Sequence, residues 1–153
     1  MPDIRLPVDG TVFTLRAGIL CIRDGKLLVV SGDGFDFRYL PGGAVRTGEG
    51  SAQAAAREWT EETGLPPGPL RLAGVVENFF TLNGQTCHEI GFFYRMDAPE
   101  HWPGTLTTLL DQFDQRLEWL PLAELDTARV SPAVIRELLD LPPGEVRHLV
   151  QRG

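Results

Sequence analysis

The chain has 153 residues, 42% of them apolar, and a formal net charge of −7. That size suits one globular domain over residues 1–153 with a sizeable core, and excludes a second domain of useful size. The acidic balance argues against binding a nucleic-acid polymer through its backbone, although a cation that neutralises both parties would still let such a protein hold phosphates.

Basic residues are 13 Arg against the single Lys26. Genomic base composition explains that bias better than function does. Cys21 and Cys87 each lie in an apolar, strand-like run. They read as two buried small hydrophobes in a reducing compartment, since a zinc site would need more ligands at tighter spacing. The N-terminal MPDIRLPVDG is charged and carries Pro, with no apolar signal region, and no run approaches the ~18 apolar residues of a membrane span. A cytoplasmic protein with no membrane partner is the expectation.

In chain order, Thr11 to Arg23 predicts a strand. Asp24-Gly25 is a two-residue hairpin signal, and Lys26 to Ser31 returns as a second strand. Phe35 to Leu40 is short and aromatic, and Pro41-Gly42-Gly43 turns the chain. Leu70 to Leu82 and Gln85 to Met96 predict two strands joined at Asn83-Gly84, after a rigid Pro66 to Pro69 linker. On the second of these, His88, Ile90, Phe92 and Tyr94 share one face, and Cys87, Glu89, Gly91 and Phe93 the other. Asp97 to Gln115 reads as a long loop, Arg116 to Leu120 as a short strand, and Pro121 to Leu125 as a turn. Ser131-Pro132 predicts a cap and first turn of a helix running to about Leu139. The tail from Pro142 adds an edge strand or frays. Strands, a helix, more strands and a second helix predict a mixed sheet with helices on opposite faces, an α/β fold.

The stretch that organises the rest is Gly43 to Leu65, GAVRTGEGSAQAAAREWTEETGL. Ser51 to Glu62 predicts a helix, with Ser51 as N-cap, four alanines as strong helix formers, and Gly64 as the stop. Glu58, Glu61 and Glu62 fall at i, i+3 and i+4, on one face. Ala52, Ala55, Ala56, Trp59 and Thr63 form the other face and are expected to pack inward. Three like charges on one face cost about 0.2–0.5 kcal/mol per adjacent pair. Glu61 and Glu62 also sit at the negative end of the helix dipole, at about 0.3–1 kcal/mol each. Only Arg57 is near enough in sequence to offset this. A solvated acidic face is the plain alternative, but such faces gain from alternating signs, which this one lacks. A divalent cation would reverse the argument, because hard cations take carboxylate oxygens and bridge to phosphates.

Read as G-x5-E-x7-R-E-U-x-E-E-x-G-U, with U apolar, the stretch resembles the Nudix box through Gly43, Glu49, Arg57, Glu58, Glu61, Glu62, Gly64 and Leu65. The departure is Trp59, where the family usually has Leu, Ile or Val; a change in packing is expected, with the chemistry intact. The resemblance implies the Nudix α/β/α sandwich with a mixed β-sheet and a loop–helix–loop box. It implies a hydrolase that cleaves a phosphoanhydride in a nucleoside diphosphate derivative or a nucleoside triphosphate, with Mg²⁺ or Mn²⁺ as cofactor. Glu58, Glu61, Glu62 and the Gly42 carbonyl are the implied metal ligands. Glu58 is the candidate for activating water, with Glu49 second, and Arg57 is expected to hold carboxylates in place. A further carboxylate is often drawn from outside the box: Asp111, Asp114, Glu118 and Glu89 are candidates, each against the plainer reading of a surface residue.

Substrate contacts are sought among Arg46, Arg38, Tyr39, Asp114, Phe35, Phe37, Phe80 and Trp102; an aromatic on these strands is more often core than platform. ENFF at Glu77 to Phe80 and HEIGFFY at His88 to Tyr94 resemble a group of small bacterial Nudix proteins without assigned specificity. Two other classes compete. A Nudix-like nucleotide-binding or regulatory module without turnover usually has degraded box carboxylates, whereas here the four box glutamates are intact. An isomerase on the same fold needs further catalytic residues that the sequence does not reveal. A homodimer is an open possibility in this family.

Overall fold

In the computed structural model, residues 2–34, 36–98, 107–108 and 114–153 are described. Strand β1 (Arg5–Val8) pairs antiparallel with β2 (Thr11–Arg23) through an Asp9-Gly10 turn, a strand that the charged N-terminus does not advertise. β3 (Lys26–Gly32) follows the expected Asp24-Gly25 turn, with Asp24 at φ 50° and Gly25 at 73°. β4 (Arg38–Tyr39) and β5 (Gly42–Ala44) are short, and β5 lies against the middle of β2. Helix α1 (Ser51–Thr63) comes next, then β6 (Arg71–Leu82) and β7 (Gln85–Asp97), antiparallel across Asn83-Gly84. β8 (Thr107–Thr108) pairs with β9 (Gln115–Pro121), β10 (Val130–Ser131) with β4, and β11 (Arg147–Arg152) with β6.

The main sheet runs β10-β4-β3-β2-β7-β6-β11. It is mixed: β2 and β7 are parallel over Val12 to Ile22, while β6–β7 and β2–β3 are antiparallel. Alternation along β2 splits the interior in two. Ala17, Ile19 and Cys21 face α1 with Leu28, Val30, Trp59, Tyr94 and Met96. Leu20 faces the opposite layer with Leu27, Val29, Val76, Phe93, Ile135 and Leu138. This is the expected sandwich with a helical segment on each face. The second segment is not the expected α-helix from Ser131. It is a 3-10 helix, Ala133–Leu138, and Ser131 belongs to β10. A single apolar side with Ile135 and Leu138 buried needs only this short turn to close the core.

Two expectations about α1 are corrected. Its N-cap is Gly50, whose N–H is taken by the Gln53 side chain at 2.7 Å; Ser51 lies inside the first turn and its hydroxyl bonds the Tyr94 hydroxyl at 2.7 Å. The helix start is thereby tied to β7. The buried residues are Ala54, Ala55, Trp59 and Glu62, and Ala52 is exposed. The helix is thus rotated from the expected placement, so that Glu62 is buried and Glu58 half-buried while Glu61 stays exposed. Gly64, at φ 74°, closes the helix by donating its N–H to the Thr60 carbonyl at 2.8 Å. Trp59 is fully buried, and the small Ala17, Ala54 and Ala55 in the same cluster make room for it. Cys21 is buried as expected, but Cys87 is only half-buried. Among the described residues, no helix is long and apolar enough to cross a membrane.

Candidate active site

Gly42 and Gly43 place the box next to β2. Gly42 sits at φ 146°, and a Cβ there would lie 2.1 Å from the Ala17 carbonyl oxygen, so only glycine fits the closely paired β2 and β5. A Cβ on Gly43 would fall 2.5 Å from the Glu58 carboxyl carbon. The Glu58 carboxylate therefore packs directly over the Gly43 backbone. Glu62, only 3% exposed, accepts the Gly42 N–H at 2.8 Å. Two of the three helix carboxylates are thus held against the two glycines.

Arg57 is the hub of the rest. Its Nε donates to Glu49 Oε2 at 2.8 Å and its Nη2 to Glu49 Oε1 at 3.0 Å, a forked pair. Nη1 reaches Glu58 at 2.9 Å and Glu61 at 3.2 Å, and Nη2 also donates to the Ala44 carbonyl. Glu49 additionally accepts the Arg46 backbone N–H at 3.0 Å. The bonds from Arg57 hold the Glu49 carboxyl down at about 2, and the Arg57 guanidinium is correspondingly raised. The Glu58 carboxyl goes the other way, raised by burial against the opposing pull of Arg57. Glu49 and Glu58, both candidates for activating water, are therefore distinct. Glu49 has both oxygens occupied and a weak hold on protons. Glu58 is half-buried, singly bonded and more proton-avid.

A cavity of about 1410 Å³ opens from this cluster. It runs from Glu58, Glu61 and Glu62 past Gly42, Gly43 and Arg16 onto the sheet face opposite α1, where Thr14, Asn78, Phe80, Cys87 and Glu89 line it. Of the expected substrate contacts, Arg46, Tyr39, Phe37 and Phe80 line the cavity. The Arg46 guanidinium lies 3.7 Å from Glu61 and 3.6 Å from Asp3. Tyr39 bonds Gln115. Arg38 is paired with Glu118, and neither lines the cavity. Asp114 is exposed and also lies off it. Asp111, Phe35 and Trp102 fall outside the described residues. Arg16, not singled out from sequence, donates to the Leu40 carbonyl at 2.8 Å and lies over the Tyr39 ring at 5.6 Å, beside the box glycines. Its signal was its place in β2, where the residue facing Ala44 of β5 is the one beside the box.

The NUDIX domain description matches residues 12–140. The chain belongs to the Nudix family. Among solved structures, this Nudix hydrolase is similar to a MutT NUDIX hydrolase from Burkholderia pseudomallei, at 24% identity and TM-score 0.65 over 83% of this chain and 98% of that one. The mutator MutT protein from Bacillus halodurans aligns at 18% identity and TM-score 0.66, over 88% of this chain and 89% of that one. A MutT protein from Methanosarcina mazei Go1 aligns at 22% identity and TM-score 0.59, over 86% and 93%. These likenesses show the fold. No curated protein matches the chain.

Nudix hydrolases generally use divalent metals, and the donor set fits one. Three carboxylates beside a backbone carbonyl are the oxygen ligands a hard cation takes. Among the described residues, no three His, Cys, Asp or Glu side chains already converge as a ligand set. Arg57 engages Glu58 and Glu61, and the Gly42 N–H engages Glu62.

Proposed function

We propose that this Nudix hydrolase is a Mg²⁺- or Mn²⁺-dependent pyrophosphohydrolase of nucleoside diphosphate derivatives or nucleoside triphosphates. The observation that carries the reading is the packing of Glu58 and Glu62 against Gly43 and Gly42 at the mouth of the cavity. Glu58, Glu61, Glu62 and the Gly42 carbonyl would hold the cation. When bound, it would neutralise phosphate oxygens and lower the pKa of water.

The chain's own residues do the rest. Glu58, kept proton-avid by burial, takes the proton of the attacking water. Glu49 is tied down by Arg57 and serves as its anchor, so that Arg57 fixes where Glu58 and Glu61 point. Arg46 and Arg16 stand on the cavity wall where phosphate oxygens would lie. Water adds across one P–O–P bond and the bridging oxygen leaves with one phosphorus. The products are two phosphorylated halves, or a monophosphate and pyrophosphate from a triphosphate. The free cysteines agree with a cytoplasmic setting.

Product analysis on a panel of nucleoside diphosphate derivatives and nucleoside triphosphates, with Mg²⁺ or Mn²⁺ and a Glu61→Gln/Glu62→Gln control, tests this. Metal-dependent cleavage that the control loses is the expected outcome. Tight binding of a panel member without turnover would replace the hydrolase reading with that of a binding module.

A further inference from the structure

The N-terminal segment reaches the site from outside the box. Pro2 to Ile4 lies antiparallel to the loop after β5: Ile4 donates its N–H to the Val45 carbonyl at 2.8 Å, and Thr47 donates its N–H to the Pro2 carbonyl at 3.1 Å. Those two bonds flank Asp3 and Arg46, which face each other as a bridged pair. The segment is also tied to β2, because Leu15 donates to the Ile4 carbonyl at 3.0 Å and Ile4 packs against the core under α1. Val45, the neighbour of Arg46, is buried in that core. The backbone on each side of the pair is therefore held.

Where two opposed residues of an antiparallel pair do not bond each other, their side chains share a face and stand closest together. Asp3 and Arg46 do so on the cavity side, and both line it. The Arg46 Nε lies 3.6 Å from Asp3 Oδ1, and its Nη2 lies 3.7 Å from Glu61 Oε1. The backbone N–H and carbonyl of Arg46 turn to Glu49 instead. The guanidinium is thus shared between two carboxylates that differ in kind. Glu61 is one of the box carboxylates read above as cation ligands. Asp3 stands outside that ligand set, on a segment whose place is fixed by backbone bonds. A guanidinium with Glu61 as its one partner would close onto the box and compete for that carboxylate. Asp3, on the other side, holds it back.

We propose that Asp3 is a positioning residue, which keeps Arg46 on the cavity wall and available to a substrate phosphate once Glu61 turns to its cation. This assignment rests on the reading of the box as a cation site and of Arg46 as a phosphate contact. It carries a sign that charge alone does not. Asp3 is an anion on the wall of a cavity that takes anions, so by Coulomb's law its removal should tighten phosphate binding. Acting through Arg46, it has the opposite effect: its removal frees the guanidinium to fold onto Glu61, and phosphate binding weakens.

The test compares the wild type with Asp3→Asn, Asp3→Glu, Arg46→Gln and the double variant Asp3→Asn/Arg46→Gln at saturating Mn²⁺. Calorimetry reads the affinity for methylenediphosphonate, a pyrophosphate analogue that is not hydrolysed. Steady-state kinetics reads kcat and KM on the panel compound that the wild type cleaves best. Asp3→Asn is expected to weaken the analogue about three- to fivefold, the scale of one half-exposed ion pair, and to raise KM alike with kcat within about twofold. Asp3→Glu should recover most of that loss. In the Arg46→Gln background, Asp3→Asn should bring no further loss, because the group it acts through is gone. Tighter or unchanged binding in Asp3→Asn would overturn the proposal, and so would a full additional loss in the double variant. A lowered thermal midpoint in Asp3→Asn with wild-type affinity would overturn it too, leaving Asp3 a structural role. A wild type that neither cleaves the panel nor binds the analogue would take down the hydrolase reading, and this assignment with it.

Discussion

Arg57 grips Glu49 with two parallel bonds, Nε to Oε2 at 2.8 Å and Nη2 to Oε1 at 3.0 Å, on adjacent segments eight residues apart. The remaining nitrogen then spans Glu58 and Glu61. One guanidinium thus ties the loop before the helix to the carboxylates on it.

Arg57→Lys keeps the charge and loses the fork. Turnover should fall about 10–100-fold, the usual range for a group that orients ligands. The apparent affinity for Mn²⁺ should fall with it, which a merely structural role would not require. Titration of Mn²⁺ against activity reads both.

The low Glu49 carboxyl predicts an acid limb in stability. Its folded value, about 2, lies below the ordinary 4.5. The unfolded chain therefore binds its proton first as pH falls, and the stabilisation, complete above about 4.5, is lost between there and about 2. After solvent screening this amounts to about 1–2 kcal/mol. Urea unfolding from pH 6 to pH 3 should show the decline in the wild type and a shallower one in Glu49→Gln.

Glu58 has the opposite sign. Burial raises it, so above 4.5 the unfolded carboxyl ionises first and stability declines as pH rises through the folded value. Glu58→Gln should lower kcat by orders of magnitude while leaving the thermal midpoint at pH 8 unchanged or higher. Near-normal turnover would sink the role assigned to Glu58. Chelation of divalent metal should abolish wild-type activity, and metal-independent hydrolysis would count against the carboxylate cradle.

The two glycines should fail differently. In Gly42→Ala the new methyl meets the Ala17 backbone, which cannot yield, so a destabilisation of about 3 kcal/mol or more is expected by denaturant titration. In Gly43→Ala it meets the Glu58 carboxylate, a movable side chain. That variant should fold and lose activity.

Much of this was legible in the residues. Asp24-Gly25 and Asn83-Gly84 marked hairpins because they sit at positive φ, a local requirement that sequence reports directly. The box spacing put Glu58, Glu61 and Glu62 within reach of Arg57 and the two glycines because that spacing is itself geometric. What escaped depends on tertiary contact. Ser51 looks like a cap, but Tyr94 takes its hydroxyl and Gln53 serves Gly50 instead. The acidic face looks solvent-facing until Gly42 and Gly43 supply somewhere to bury Glu62 and Glu58. β7 alternation placed Glu89 opposite His88, yet only the register shows that Thr14 of β2 and Asn78 of β6 are its neighbours. The helix expected from Ser131 shortened because a parallel pair, β10 with β4, claimed its first residue.

β2 pairs with β1, β3, β5 and β7. Its central residues, Ala17 to Ile19, lie between β7 on one edge and β5 with the Pro41 carbonyl on the other, so solvent deuterium should reach their amides only through global opening. Gly42 and Gly43 are fastened to that strand. Fluctuation between α1 and β5 then falls on the α1 side, and the distance that breathes is the one between the helix carboxylates and a backbone that stays put.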